Sequence, residues 1–159
     1  MSLVRVIVLG NEAAGDDGAA LAAARIAAAG GAFELLLAGR PGVALLDLLD
    51  TGAPVVLVDV VRTGAPPGAL LEVPLEVILD RALASSPASS HGFGPAEVLA
   101  LGGSLGRALP RGVFLGVEGA RFEAGAPLTV GVELAVPALA AAIRRVVEAL
   151  GRNTCTSTG

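Results

Sequence analysis

Aspartates and a single histidine are the side chains of this sequence that could do chemistry. Asp16 and Asp17 follow one apolar run, Asp59 ends another, and His91 is the sole histidine. The 159-residue chain has one cysteine, Cys155, in a polar tail, and its 11 basic residues are all arginine. Acid–base and metal chemistry mostly use imidazole, thiolate or carboxylate. An active site in this chain must therefore use carboxylates, His91 or both.

The elements that position these residues follow from the alternation of short apolar runs with helix-forming segments. The pattern predicts strands at Val4–Leu9, Phe33–Leu37, Val55–Val61, Ala69–Val73 (a possible edge strand) and Val113–Val117. It predicts helices at Ala19–Ala29, Val43–Asp50, Leu75–Ala84, Pro95–Leu105 and Pro137–Leu150, with Pro137 in the first turn of the last helix and Ser85–Gly94 as a loop. This alternation indicates an α/β fold, a three-layer α/β/α sandwich with a mostly parallel twisted sheet of about five strands.

Length and composition limit the organisation and the partners. Residues 1–150 are predicted to form a single domain and 151–159 a disordered tail. The net charge of −4 and the aromatic content of 3% disfavour nucleic-acid binding, which uses basic patches and stacking platforms. Every apolar run is shorter than the roughly 20 residues that cross a bilayer. We expect a cytoplasmic monomer that binds neither nucleic acid nor membrane.

The carboxyl ends of parallel strands meet at one edge of a sheet, where ligands usually bind. Asp17 and Asp59 follow or end two such strands, and the loop with His91 should return near the same edge. We therefore expect these three side chains to meet. Two carboxylates and one imidazole suit nickel, zinc, manganese or iron and leave coordination positions open.

Other interpretations of the same residues remain open at this point. Asp16 or Asp17 can be only a helix cap, Asp59 a turn former, and His91 a loop residue bonded to backbone. A phosphate site in the loop before the first helix is disfavoured by its acidic residues. A serine nucleophile at Ser89 or Ser90 lacks the usual strand-to-helix elbow.

Several motifs along nearly the whole chain match one family. They are Leu9-Gly10-Asn11 with Gly15-Asp16-Asp17-Gly18, Leu45-Leu46-Asp47-Leu48-Leu49, Val55-Val56-Leu57-Val58-Asp59, Gly64-Ala65-Pro66-Pro67-Gly68, Ser89-Ser90-His91-Gly92 and the strand Val113–Val117. With these motifs the chain resembles the hydrogenase maturation endopeptidases. These proteases remove the carboxyl-terminal extension of a nickel–iron hydrogenase large subunit after nickel insertion.

The resemblance implies a role for each of the three candidate residues. The metal-binding acidic residue of the family falls on Asp17, its aspartate of the third strand on Asp59, and its loop histidine on His91. The implied partner is a hydrogenase large-subunit precursor. The implied metal is nickel delivered in that substrate, for which other divalent metals can substitute, so the resemblance implies no permanent metal in the enzyme.

The chain departs from the family pattern at three places. Val8 replaces the first glycine of a Gly-x-Gly-Asn motif, and Ala20 replaces a glycine after Asp-Asp-Gly. A Gly-Thr feature after the second strand becomes Gly39-Arg40-Pro41-Gly42. In the family this last loop is thought to grip the substrate, so Arg40-Pro41 indicates a change in substrate recognition.

Two further functions remain as alternatives. A relative that binds metal or precursor without cutting it would form a stable complex with the full-length precursor. A small-molecule α/β enzyme would use the same edge of the sheet with Asp17, Asp59 and His91 too far apart to share one ion.

Overall fold

The computed structural model describes residues 3–78 and 95–153. The strands are β1 (Arg5–Leu9), β2 (Glu34–Gly39), β3 (Val55–Val61), β4 (Leu70–Pro74) and β5 (Gly112–Glu118). The helices are α1 (Ala19–Ala28), α2 (Leu45–Leu49), α3 (Pro95–Ser104) and α4 (Val130–Asn153), with short 3-10 turns at Gly15–Gly18 and Gly42–Ala44. Residues 75–78 are also helical.

The five strands of the described residues form one sheet in the order β2-β1-β3-β5-β4. The pairs β1–β2, β1–β3 and β3–β5 are parallel, and only β4 runs antiparallel, at the edge beside β5. In the central register Val8 lies beside Val58, which lies beside Leu115. The mostly parallel five-stranded sheet confirms the predicted fold class.

Helices cover both faces of the sheet because successive residues of the central strands point to opposite sides. Val56 and Val58 pack with α1 and α4 in one core. Val55 and Leu57 pack with α2 and α3 in the other. Five alanines of α1 are fully buried against the sheet and α4, and their small side chains allow close packing; they are Ala19, Ala20, Ala23, Ala24 and Ala27. The three layers are therefore those that the alternating pattern predicted.

The last helix is longer than predicted at both ends. It begins at Val130 rather than Pro137, so Pro137 lies inside the helix and not in its first turn. Proline is most favourable in a first turn, where its missing N–H is not needed, and that preference misplaced the start. The helix ends at Asn153, so residues 151–153 extend it rather than belong to a disordered tail. Residues 154–159, with Cys155, lie outside the described residues.

Most other boundaries differ from the predicted ones by one or two residues, and β3 has the predicted bounds. The predicted helix Leu75–Ala84 is observed as helix at residues 75–78, and its remainder lies outside the described residues, as does the predicted loop Ser85–Gly94. None of the helices in the described part of the chain is long and apolar enough to span a bilayer.

Candidate functional site

The connection from β1 to α1 brings two acidic residues to the carboxyl edge of the sheet. Gly10 follows the last residue of β1 and has a φ of +110°. This backbone conformation is strained for any residue with a side chain. The Asn11 side chain then accepts a hydrogen bond of 3.0 Å from the Ala13 N–H and tightens the turn. The 3-10 turn Gly15–Gly18 follows and carries Asp16 and Asp17.

Asp17 is buried with its carboxylate directed back at the end of β1. Its Oδ2 accepts a hydrogen bond of 2.6 Å from the Asn11 N–H. A Cβ on Gly10 would lie 2.8 Å from Asp17 Oδ1, so the carboxylate occupies the space that this glycine leaves. The Arg40 guanidinium lies 3.4 Å from Asp17 Oδ2. The loop and Gly10 therefore fix the position of this carboxylate.

Asp16, the neighbouring residue, has a structural role. Its carboxylate is fully buried and accepts hydrogen bonds from the N–H groups of Ala120, Arg121 and Thr129 at 2.7–2.9 Å. The Thr129 hydroxyl also donates to it, at 3.0 Å. Burial alone would raise the pKa of Asp16, but these hydrogen bonds outweigh burial and hold the pKa below its ordinary value. Of the two adjacent aspartates, Asp16 secures the loop after β5.

Asp59 lies on β3, two residues before the end of the strand and beside Gly116 of β5. Burial raises its pKa from 3.8 to about 7, against a hydrogen bond from the Val60 N–H that lowers it. The negative charge of Asp17 raises the pKa further, and the positive charge of Arg40 lowers it. The pKa of Asp59 therefore depends on the charges of both Asp17 and Arg40.

Asp17 and Asp59 line the same cavity, which has a volume of about 590 Å³. Two arginines, Arg40 and Arg62, also line it, and the Arg62 guanidinium lies 3.9 Å from the centre of the Phe122 ring. The remaining wall is mostly apolar and includes Leu9, Leu45, Val60, Pro95 and Val98. The cavity thus joins the ends of β1, β2 and β3 to the start of α3.

Asp17 and Asp59 line one cavity, whereas His91 lies outside the described residues, so the meeting of the three predicted ligands stays a prediction. Within residues 3–78 and 95–153 no cluster of three or more His, Cys, Asp or Glu side chains forms a metal site. Arg40 and Pro41, at the predicted substrate-gripping loop, both line the cavity.

Glu118 is a buried acidic residue that the sequence did not single out. It ends β5, and its carboxylate accepts hydrogen bonds from the Thr63 N–H and hydroxyl, both at 2.8 Å, and from the Gly64 N–H at 3.1 Å. Burial raises its pKa, but these bonds prevail and lower it. Glu118 therefore holds the loop after β3. A sequence signal was its position at the end of a buried strand, the same signal that selected Asp59.

The comparisons with known proteins address the fold. No protein-family model matches this sequence, and no curated protein matches it. Solved structures do. The hydrogenase maturating endopeptidase HybD from E. coli has a TM-score of 0.77 and 20% identity, over 95% of this chain and 94% of that chain.

Two archaeal structures are also similar. The NiFe hydrogenase maturation protease HybD from Thermococcus kodakarensis has a TM-score of 0.68 and 26% identity, over 92% of this chain and 99% of that chain. The hydrogenase 2 maturation peptidase from a Thaumarchaeota archaeon has a TM-score of 0.63 and 24% identity, over 94% and 99%. The chain has the fold of the hydrogenase maturation endopeptidases, and the resemblance indicated by its motifs is confirmed.

Proposed function

We propose that this chain is a peptidase that removes the carboxyl-terminal extension of a nickel–iron hydrogenase large-subunit precursor after nickel insertion. The observation that carries the proposal is that Asp17 and Asp59 line one cavity at the carboxyl edge of the sheet. The similar solved structures are named as hydrogenase maturation proteases, which supports an enzyme of the hydrolase class.

The chemistry of the site suits a divalent metal carried by the substrate. Carboxylate oxygens bind nickel and related divalent ions, and two carboxylates leave most of the coordination positions to ligands from the substrate. Asp59, with a pKa of about 7, must be deprotonated when it binds a cation. The apolar residues of the wall lower the local dielectric constant around these two carboxylates and so strengthen their attraction for a cation.

His91 is the proposed third ligand. Pro95, four residues further along the chain, lines the cavity, which supports this assignment. In the proposed cycle the three side chains recognise nickel seated in the precursor and so position one peptide bond for hydrolysis. Nickel enters and leaves with the substrate. The monomeric state and the cytoplasmic location stay predictions.

The test is cleavage of a purified nickel-loaded precursor, followed by mass spectrometry. We expect the parent chain to shorten the loaded precursor and to leave the nickel-free precursor intact. Asp17→Ala and His91→Ala should each lower the cleavage rate at least a hundredfold. Asp47→Ala, at an exposed aspartate of α2, should cleave at the parent rate.

The outcomes separate the alternatives. Cleavage by Asp17→Ala at the parent rate would show that the proposed site is wrong. A stable complex with precursor that stays full-length after long incubation would favour the relative that binds without cutting. A small-molecule enzyme would neither cleave the precursor nor form a stable complex with it.

A further inference from the structure

Arg40 lies where it competes with a metal for Asp17. Its guanidinium is 3.4 Å from Asp17 Oδ2, the oxygen that also accepts a hydrogen bond from the Asn11 N–H. The Arg40 side chain is 74% exposed, whereas that of Asp17 is 7% exposed. The arginine can therefore swing into solvent at little cost, while the carboxylate stays fixed. A cation that binds this oxygen has to displace the guanidinium or share the carboxylate with it.

The charges along the cavity wall balance. Among the described residues, the charged side chains that line it are Asp17, Asp59, Arg40 and Arg62. Their formal sum is zero when both aspartates are ionised. Arg62 lies against the Phe122 ring, a contact that holds its charge at the wall. A free divalent ion would bring two positive charges into a cavity that already contains two guanidinium groups.

We propose that Arg40 is a specificity residue: it occupies the cation position at Asp17 and, with Arg62, makes the cavity reject a free divalent ion but accept one already bound by anionic ligands of the substrate. This inference rests on the proposed function and names the form of metal that the site recognises. Thiolates and carboxylates are the anionic side chains that bind nickel-type ions in proteins. Their negative charge cancels that of the metal and pairs with the displaced guanidinium.

The site thus distinguishes a loaded substrate from free metal by charge. Two carboxylates alone would attract any divalent cation. With Arg40 and Arg62 present, the attraction is greatest for a complex whose metal faces the aspartates and whose anionic ligands face the arginines. The polypeptide that carries the metal would then contact the cavity twice, through its metal at the aspartates and through its anionic ligands at the arginines.

The experiment measures Ni²⁺ binding to the purified full-length chain by competition with a coloured chelator. Arg40→Gln removes the competing charge and keeps a polar, shorter side chain. It should bind free Ni²⁺ about tenfold more tightly than the parent, on the order expected for one nearby charge. Arg145→Gln is the matched control, because Arg145 also forms an ion pair and is 61% exposed but lies on α4 away from the cavity. It should bind Ni²⁺ like the parent.

A second probe is Ni²⁺ complexed by a dithiolate peptide. The parent should bind this complex more tightly than free Ni²⁺, and Arg40→Gln should lose that preference. If Arg40→Gln binds free Ni²⁺ no more tightly than the parent while Asp17→Ala binds it more weakly, the role of Arg40 is wrong and the metal site stands. If neither variant changes Ni²⁺ binding, the metal site of the proposed function is wrong as well.

Discussion

The Thr129 N–H donates a hydrogen bond of 2.7 Å to Asp16 Oδ1 and so connects the start of α4 to the turn before α1. The next residue, Asp17, lines the cavity instead. Two adjacent carboxylates of the same chemical type therefore have different tasks. Asp16 holds the loop after β5 in place, and Asp17 faces the cavity.

This division predicts that the two aspartates differ in their contribution to stability. Asp16→Ala should lower the free energy of unfolding by about 3–5 kcal/mol, because three backbone N–H groups lose a charged acceptor in a buried place. Asp17→Ala should lower it by only about 1 kcal/mol, because it loses one backbone hydrogen bond and a contact with an exposed arginine. Urea unfolding followed by circular dichroism measures both. Equal losses in the two variants would contradict the assignment.

Acid should destabilise the protein through Asp16 and Glu118. Both carboxyls have folded-state pKa values below their ordinary values of 3.8 and 4.5. Their stabilisation is therefore fully present above the ordinary values and is lost as the pH falls towards the lower folded-state values. Asp59 acts in the opposite direction, because its raised pKa adds stability as the pH falls towards 4, so the measurement uses the Asp59→Asn variant. In this variant the free energy of unfolding from urea titrations should fall steadily between pH 5 and pH 3.

The control for the acid prediction is a variant that lacks one of these carboxylates. Glu118→Gln keeps the shape of the side chain but cannot ionise, so its stability should be lower at pH 6 and should depend less on pH below pH 5. An Asp59→Asn protein with equal stability at pH 5 and pH 3 would show that the buried hydrogen bonds of Asp16 and Glu118 are not decisive.

The local pattern of apolar residues was sufficient to predict the three layers of the fold, but not where α4 begins and ends. β3 is a run of valine and leucine with aspartate near its end, and its predicted bounds, Val55–Val61, match the structure. The start of α4 was misplaced because proline favours a first turn, and Gly131 and the valines around it, which precede Pro137, are weak helix formers. A tertiary contact favours the start of the helix at Val130. The Asp16 carboxylate accepts hydrogen bonds from the N–H and the hydroxyl of Thr129, the residue before α4. That contact crosses 113 residues and has no local signature.

The shared position of Asp17 and Asp59 was predictable for the same reason as the sheet. Asp17 lies in the connection that follows β1, Asp59 lies near the end of β3, and the topology brings both to one edge of the sheet. The role of Glu118 was not predictable, because its partners Thr63 and Gly64 lie in another loop. The ion pair of Arg40 with Asp17 likewise depends on how the loop after β2 folds over the edge of the sheet.

Asp59 should reduce stability at neutral and alkaline pH. Its pKa is about 7 in the folded protein and 3.8 ordinarily, so the folded state binds the proton more tightly and loses stability as the pH rises from about 4 towards 7. Asp59→Asn carries no charge at any pH and should be more stable than the parent by about 2 kcal/mol at pH 8, with little difference at pH 4. Urea unfolding at the two pH values measures this. Asp47→Asn, at an exposed aspartate, should show no such gain, and a parent that is as stable at pH 8 as the Asp59→Asn variant would contradict the burial of this carboxyl.

Gly10→Ala should impair the site more than it impairs the fold. The new Cβ would lie 2.8 Å from Asp17 Oδ1, so the carboxylate has to move, and the φ of +110° adds strain of about 1–2 kcal/mol. Gly106→Ala is the matched control, because Gly106 also has a positive φ, +75°, but a Cβ there meets nothing within 4 Å. Both variants should lose the stability that a positive φ costs, and Gly10→Ala should lose more in urea because its Cβ also contacts Asp17. Only Gly10→Ala should cleave nickel-loaded precursor at least tenfold more slowly, since a displaced Asp17 no longer faces the metal. Equal cleavage rates in the two variants would mean that the position of Asp17 does not determine activity.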